Sequence, residues 1–172
     1  MILFKAANAK YISSFKDYHK TGSFRDGARW NSAGTPVMYF SSNIQNAMLE
    51  LANYQQDPVI ANAINVMGVF EAPALRLHQV TPDELPDGWS TPYPPLAAQE
   101  LGDRYLNDDR YDGFVVPSCT INTDLAQSPY NEIRDCVYAN VVLNPESDAV
   151  QRIVLQDTFS PIYSARMFNP RK

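Results

Sequence analysis

Three segments of this 172-residue chain hold side chains whose types could do chemistry. The densest is Gly27-Ala28-Arg29-Trp30-Asn31-Ser32-Ala33-Gly34-Thr35-Pro36, followed by Val37-Met38-Tyr39-Phe40. Glycines and a proline around an Arg and a Trp describe a shaped loop feeding a strand, a geometry that can hold a guanidinium at a cleft. The second is the stretch after Phe40, where Glu50 falls on the flank of an apolar stripe. The third is Val115-Val116-Pro117-Ser118, an apolar strand ending in a polar turn of the kind that borders sites. Each also has a plain reading. Trp30 serves as a core anchor, Arg29 as a surface charge, Tyr39 as a half-buried strand aromatic, Glu50 as a solvated helix carboxylate and Ser118 as a turn residue. Residue types alone leave both sets of readings open.

The elements that must position these residues follow from periodicity. Pro36 to Phe40 predicts a short strand, and Ser42-Asn43-Ile44-Gln45 offers a Ser cap with Gln at the capping-box position. The helix that follows carries Ile44, Ala47, Met48, Leu51 and Ala52 at helical spacing, so it is amphipathic and packs through that face. Ala63 to Glu71 and Leu75 to Val80 predict strands, and Pro95 to Leu106 predicts a helix opened by its proline. The proline-rich stretch Thr81 to Pro95, around Gly88 and Trp89, reads as an irregular loop pinned by an aromatic. Gly113 to Val116, Val137 to Leu143, Ile153 to Gln156 and Ile162 to Phe168 are strand-like. The fold class is α+β, with a mixed sheet core and flanking helices in a single domain over 1–172.

Composition narrows the function classes. The hydrophobic content of 45% and charged content of 19% are those of an ordinary globular domain. A formal net charge of −5 with no basic run gives no footprint for a phosphate backbone, so direct nucleic-acid binding is not expected. No stretch is apolar and long enough to span a bilayer, and Met1 to Lys5 has no signal-peptide pattern, which predicts a cytoplasmic protein. Cys119 and Cys136 are expected to be reduced. With only His19 and His78, neither a zinc-ligand pattern nor a His-based triad has a frame, and no metal is expected.

The order of the motifs resembles the RES family, named for an Arg, a Glu and a Ser. The residues that carry the resemblance are Gly27-Ala28-Arg29-Trp30-Asn31 with Gly34-Thr35-Pro36, Tyr39, Ala47 through Leu49-Glu50, and Val116-Pro117-Ser118. It extends through Leu85-Pro86-Asp87-Gly88-Trp89, Leu101-Gly102-Asp103, Asn140 to Pro145 and Ser164-Ala165-Arg166-Met167-Phe168. What the resemblance implies is a fold like that of ADP-ribosyltransferases, NAD+ as substrate, and a toxin role beside a neutralising helix-turn-helix antitoxin of the Xre type. The implied reaction breaks the nicotinamide–ribose bond, with water, inorganic phosphate or a protein side chain as acceptor. Protein ADP-ribosylation, delivery as an interbacterial effector and an inactive binding module are the alternative readings.

The resemblance implies Glu50, Arg29 and Ser118 as catalytic residues and Arg29, Tyr39, Lys5 and Asn31 as the substrate-binding set. Glu50 would stabilise charge on the ribose, Arg29 would hold the pyrophosphate or another NAD+ oxygen, and Tyr39 would stack on nicotinamide. Ser118 would orient Glu50 or the substrate. Two departures stand out. Lys5 follows Phe4 where the family has an Arg, and Lys lacks the planar two-pronged donor set. The segment Thr120 to Val137 is longer than usual, which predicts a cap on the site, a partner-facing element or a plain surface excursion.

Overall fold

The structure, a computed structural model, describes residues 1–55 and 57–164. Among these residues seven strands form one mixed sheet: β1 (Ile2–Asn8), β2 (Met38–Ser41), β3 (Asn65–Glu71), β4 (Leu77–Gln79), β5 (Gly113–Val116), β6 (Asn140–Leu143) and β7 (Val154–Phe159). Their spatial order is β4-β5-β6-β2-β1-β3-β7, and every pair is antiparallel except β4 with β5. The α+β class with a mixed sheet is therefore as expected, in one unit. Among the described residues six α-helices accompany the sheet: α1 (Gly22–Asp26), α2 (Ile44–Ala52), α3 (Pro58–Ile64), α4 (Leu96–Leu106), α5 (Asn131–Val137) and α6 (Asp148–Gln151).

Alternation along the strands builds two cores, one on each face. Met38, Phe40, Val141 and Leu143 join Leu3, Ile12 and Phe70 on one side, whereas Val37, Val116 and Val142 join Trp30, Trp89, Leu101 and Phe114 on the other. β1 is paired along its whole length with β3, but it meets β2 at a single register point, Phe4 opposite Ser41. The sheet is open beyond that point. Lys5 Nζ donates to the Tyr39 carbonyl there, at 3.0 Å.

Several sequence expectations shift. The helix over Ile44–Ala52 is present, but its cap is Asn43, whose side chain accepts from the Asn46 amide, rather than Ser42. Asn is at least as good an N-cap as Ser, and the chain turns one residue later than the capping-box pattern suggests. The expected strand over Val137–Leu143 begins only at Asn140, because Val137 closes α5 and is buried as a helical residue. Of the Ile162–Phe168 strand, the part through Ser164 is irregular and the rest lies outside the described residues. Strand β1 and helix α3 had no counterpart in the sequence reading.

Candidate active site

The loop from Gly27 to Pro36 is fixed by its own backbone and by α4. Ala28 N donates to Asn31 O at 2.9 Å, closing the loop on itself, and Gly34 N donates to Phe24 O at 2.7 Å, tying it to α1. Gly27 sits at φ 77°, the left-handed region where a Cβ is costly. Gln99 on α4 donates to the Ala28 carbonyl at 3.0 Å, and Asp103 accepts from Ser32 N at 3.0 Å. Between them, Gly102 lets the helix backbone lie against Trp30, since a Cβ there would stand 1.8 Å from the Trp30 carbonyl oxygen. Trp30, 1% exposed, stacks on Trp89 at 6.1 Å. The core-anchor reading of Trp30 and a place at the site are thus compatible.

This loop forms one wall of a cleft of about 850 Å³, the size of a small-molecule site. Lys5 of β1, Arg29, Tyr39 of β2, Glu50 of α2 and Cys119 also line it. Arg29 Nη1 donates to the carbonyls of Trp89 and Thr91, the latter at 2.9 Å, so the irregular loop after Thr81 holds the guanidinium at the rim. Tyr39 donates to Asn31 Oδ1 at 2.7 Å and accepts from Trp30 N at 3.3 Å. Burial pushes the Tyr39 phenol well above its ordinary range, so it acts as a neutral ring with its hydroxyl tied. Burial also pulls the Lys5 ammonium down to about 8.

Glu50 is the most tightly held carboxylate of the cleft. Ser118 Oγ donates to Glu50 Oε1 at 2.9 Å and Asn140 Nδ2 donates to the same oxygen at 2.8 Å. A hydroxyl has one proton, so with Ser118 committed to Glu50, the 2.7 Å contact from Thr120 Oγ1 must be a donation to Ser118, alongside that of Thr120 N at 3.2 Å. No protein hydrogen bond is made to Oε2 among the described residues.

The structure brings Lys5, Arg29, Tyr39 and Glu50 to one cleft. Asn31 and Ser118, each 0% exposed, stand behind it: Asn31 fixes Tyr39 and Ser118 fixes Glu50. The segment from Thr120 to Val137 does not cover the cleft. It forms a short 3-10 turn and α5 packed together, and its contribution at the site is Thr120 behind Ser118. The sequence reading missed Asn46 and gave no role to Asn140 or Thr120. Asn46 lies four residues before Glu50, one helical turn, and that spacing was the available signal.

Residues 2–164 match the family model described as RES domain. The chain belongs to the RES domain family. The chain is similar to curated relatives named "Toxin Res": one from Pseudomonas putida is 34% identical over 159 residues, covering 91% of this chain and 97% of the relative. One from Photorhabdus laumondii is 27% identical over 145 residues, covering 84% of this chain and 82% of the relative. Among solved structures, the RES domain superposes on a chain of the crystal structure of the M. tuberculosis MbcT–MbcA toxin–antitoxin complex. The TM-score is 0.61 at 14% identity, covering 93% of this chain and 83% of that one, a likeness of fold alone. Among the described residues no helix is long and apolar enough to cross a membrane.

Proposed function

We propose that this RES domain cleaves the nicotinamide–ribose bond of NAD+ and acts as the toxin of a toxin–antitoxin pair. The observation that carries the reading is Glu50, an oriented carboxylate in a cleft that also presents two cations, Lys5 and Arg29. NAD+ has the complementary arrangement, a cationic nicotinamide end and an anionic pyrophosphate. Nicotinamide departs as a neutral molecule, so bond breaking needs no strong general acid. The demand falls on the ribose, where positive charge grows as the bond stretches, and in this reading the second oxygen of Glu50 stabilises it. Tyr39, its hydroxyl held by Asn31, offers a fixed ring for stacking. Arg29 and Lys5 supply charge-assisted donors to phosphate oxygens. Ser118 acts through Glu50.

Water as acceptor gives ADP-ribose, nicotinamide and a proton, whereas inorganic phosphate gives a phosphorylated ADP-ribose. Incubation of pure protein with NAD+, with and without phosphate, followed by chromatography of every product, separates these from transfer to a protein band. Glu50→Gln keeps size and removes charge, and should lower turnover by about 10²–10³-fold. Normal turnover by folded Glu50→Gln would remove the assignment. Loss of cellular NAD+ on expression of the wild-type chain, absent with Glu50→Gln, is the matching result in cells. An antitoxin of the Xre type seated over Arg29 and Tyr39 would block the cleft by occlusion. The MbcT–MbcA complex, which shares the fold, supports the expectation of a protein partner.

A further inference from the structure

Behind Glu50 lies a chain of amides that the reaction chemistry does not by itself require. Asn140, on β6, reaches Glu50 through its NH2 group, while its Oδ1 accepts from Asn46 Nδ2 at 2.7 Å. Asn46, on α2 and 1% exposed, also donates to Ser41 Oγ at 2.9 Å and lies 3.3 Å from the Ala139 carbonyl. The direction of each amide is fixed by its neighbours. Turning Asn46 over would set its oxygen against two other acceptors, Asn140 Oδ1 and Ala139 O, and turning Asn140 over would set its oxygen against the Glu50 carboxylate. The sheet register supplies the geometry: Ser41 and Asn140 are paired across β2 and β6, so α2 spans both with one turn that carries Asn46 and Glu50. Among the described residues Asn46 Oδ1 has no hydrogen-bond partner, so every bond this side chain makes is through its NH2 group.

We propose that Asn140 is a positioning residue for Glu50, and that Asn46 sets which way the Asn140 amide points. The inference rests on Glu50 being the group that stabilises charge on the ribose. Asn140 and Ser118 together occupy Oε1, which fixes the carboxylate rotamer and leaves Oε2 for the substrate. Preorganised orientation of this kind contributes to the transition state more than to ground-state binding.

The test is a double-mutant cycle on the full chain with NAD+ as substrate. Asn140→Asp keeps the size and the acceptor for Asn46 but replaces the donor to Glu50 with a second carboxylate. Its kcat should fall by about 10- to 100-fold, with KM within about two-fold of wild type. In a Glu50→Gln background the same substitution should cause no further loss, and the melting temperature lost to Asn140→Asp should be regained. A merely structural Asn140 would cost activity equally in both backgrounds. Asn46→Asp, which leaves Asn140 and Glu50 intact, should draw the Asn140 NH2 group inward and lower kcat similarly. Folded Asn140→Asp with normal kcat, or losses that multiply across the cycle, would overturn the positioning role while leaving Glu50 in place. Normal turnover by Glu50→Gln would overturn both.

Discussion

Lys5 carries a charge in a place that resists it, and this makes the cleft sensitive to alkaline pH. Burial lowers its pKa from 10.5 to about 8, while in the unfolded chain it titrates in the ordinary Lys range. Below pH 8 both states are charged, and the folded state bears the desolvation cost. Between about 8 and 10.5 the unfolded chain holds the extra proton, so stability rises with pH over that window while the cleft loses a cation. The KM for NAD+ should therefore rise above pH 8 in the wild type. Lys5→Arg, which stays charged throughout, should flatten that rise. Parallel KM profiles from pH 7 to 9.5 would remove Lys5 from the phosphate-binding set. The structure also gives Lys5 a second task, a hydrogen bond from Nζ to the Tyr39 carbonyl.

At the scale of elements, the Arg29 loop is positioned by α4 more than by the strand it feeds. Gly102→Ala puts a methyl group 1.8 Å from the Trp30 carbonyl oxygen, contact with backbone that cannot yield without shifting the loop. The variant should lose roughly 1–3 kcal/mol of stability, and turnover beyond that loss, because the displaced segment carries Arg29 and, through Asn31, holds the Tyr39 hydroxyl. Full activity with an unchanged melting temperature would show that helix and loop separate freely. Much of this was legible: α2, α4 and the strands β3 and β5 follow from period and turn residues. Strand β1 was not, because Ile2, Leu3 and Phe4 run without alternation in a strand partly covered on both faces. Helix α3 was hidden for another reason: its apolar Val59 and Ile60 are 74% and 50% exposed, and the buried residue is the small Ala61. Arg29, Tyr39, Glu50 and Ser118 could be named from motif order, whereas the Asn46–Asn140 link depends on strand register, which a linear pattern does not encode.

For the whole molecule, the sheet is two paired blocks, β4-β5-β6-β2 and β1-β3-β7, that share one bridge at Phe4 and Ser41. Lys5 belongs to one block and Tyr39 and Asn140 to the other, with α2 packed across both β1 and β2. Mechanically, this is a seam with a single backbone stitch beside the Lys5 side-chain bond to the Tyr39 carbonyl, and a dinucleotide gripped from both sides would add another. Backbone amides of residues 4–6 and 38–41 should then exchange with deuterium more slowly when Glu50→Gln protein, chosen for its slowed turnover, is saturated with NAD+. Equal exchange rates with and without NAD+ would mean that α2, the Lys5 bond and the shared core already keep the seam shut. If slowing is seen, the molecule gains rigidity from its substrate and gives it back at each turnover, so a partner that clasps both blocks could arrest it without entering the cleft at all.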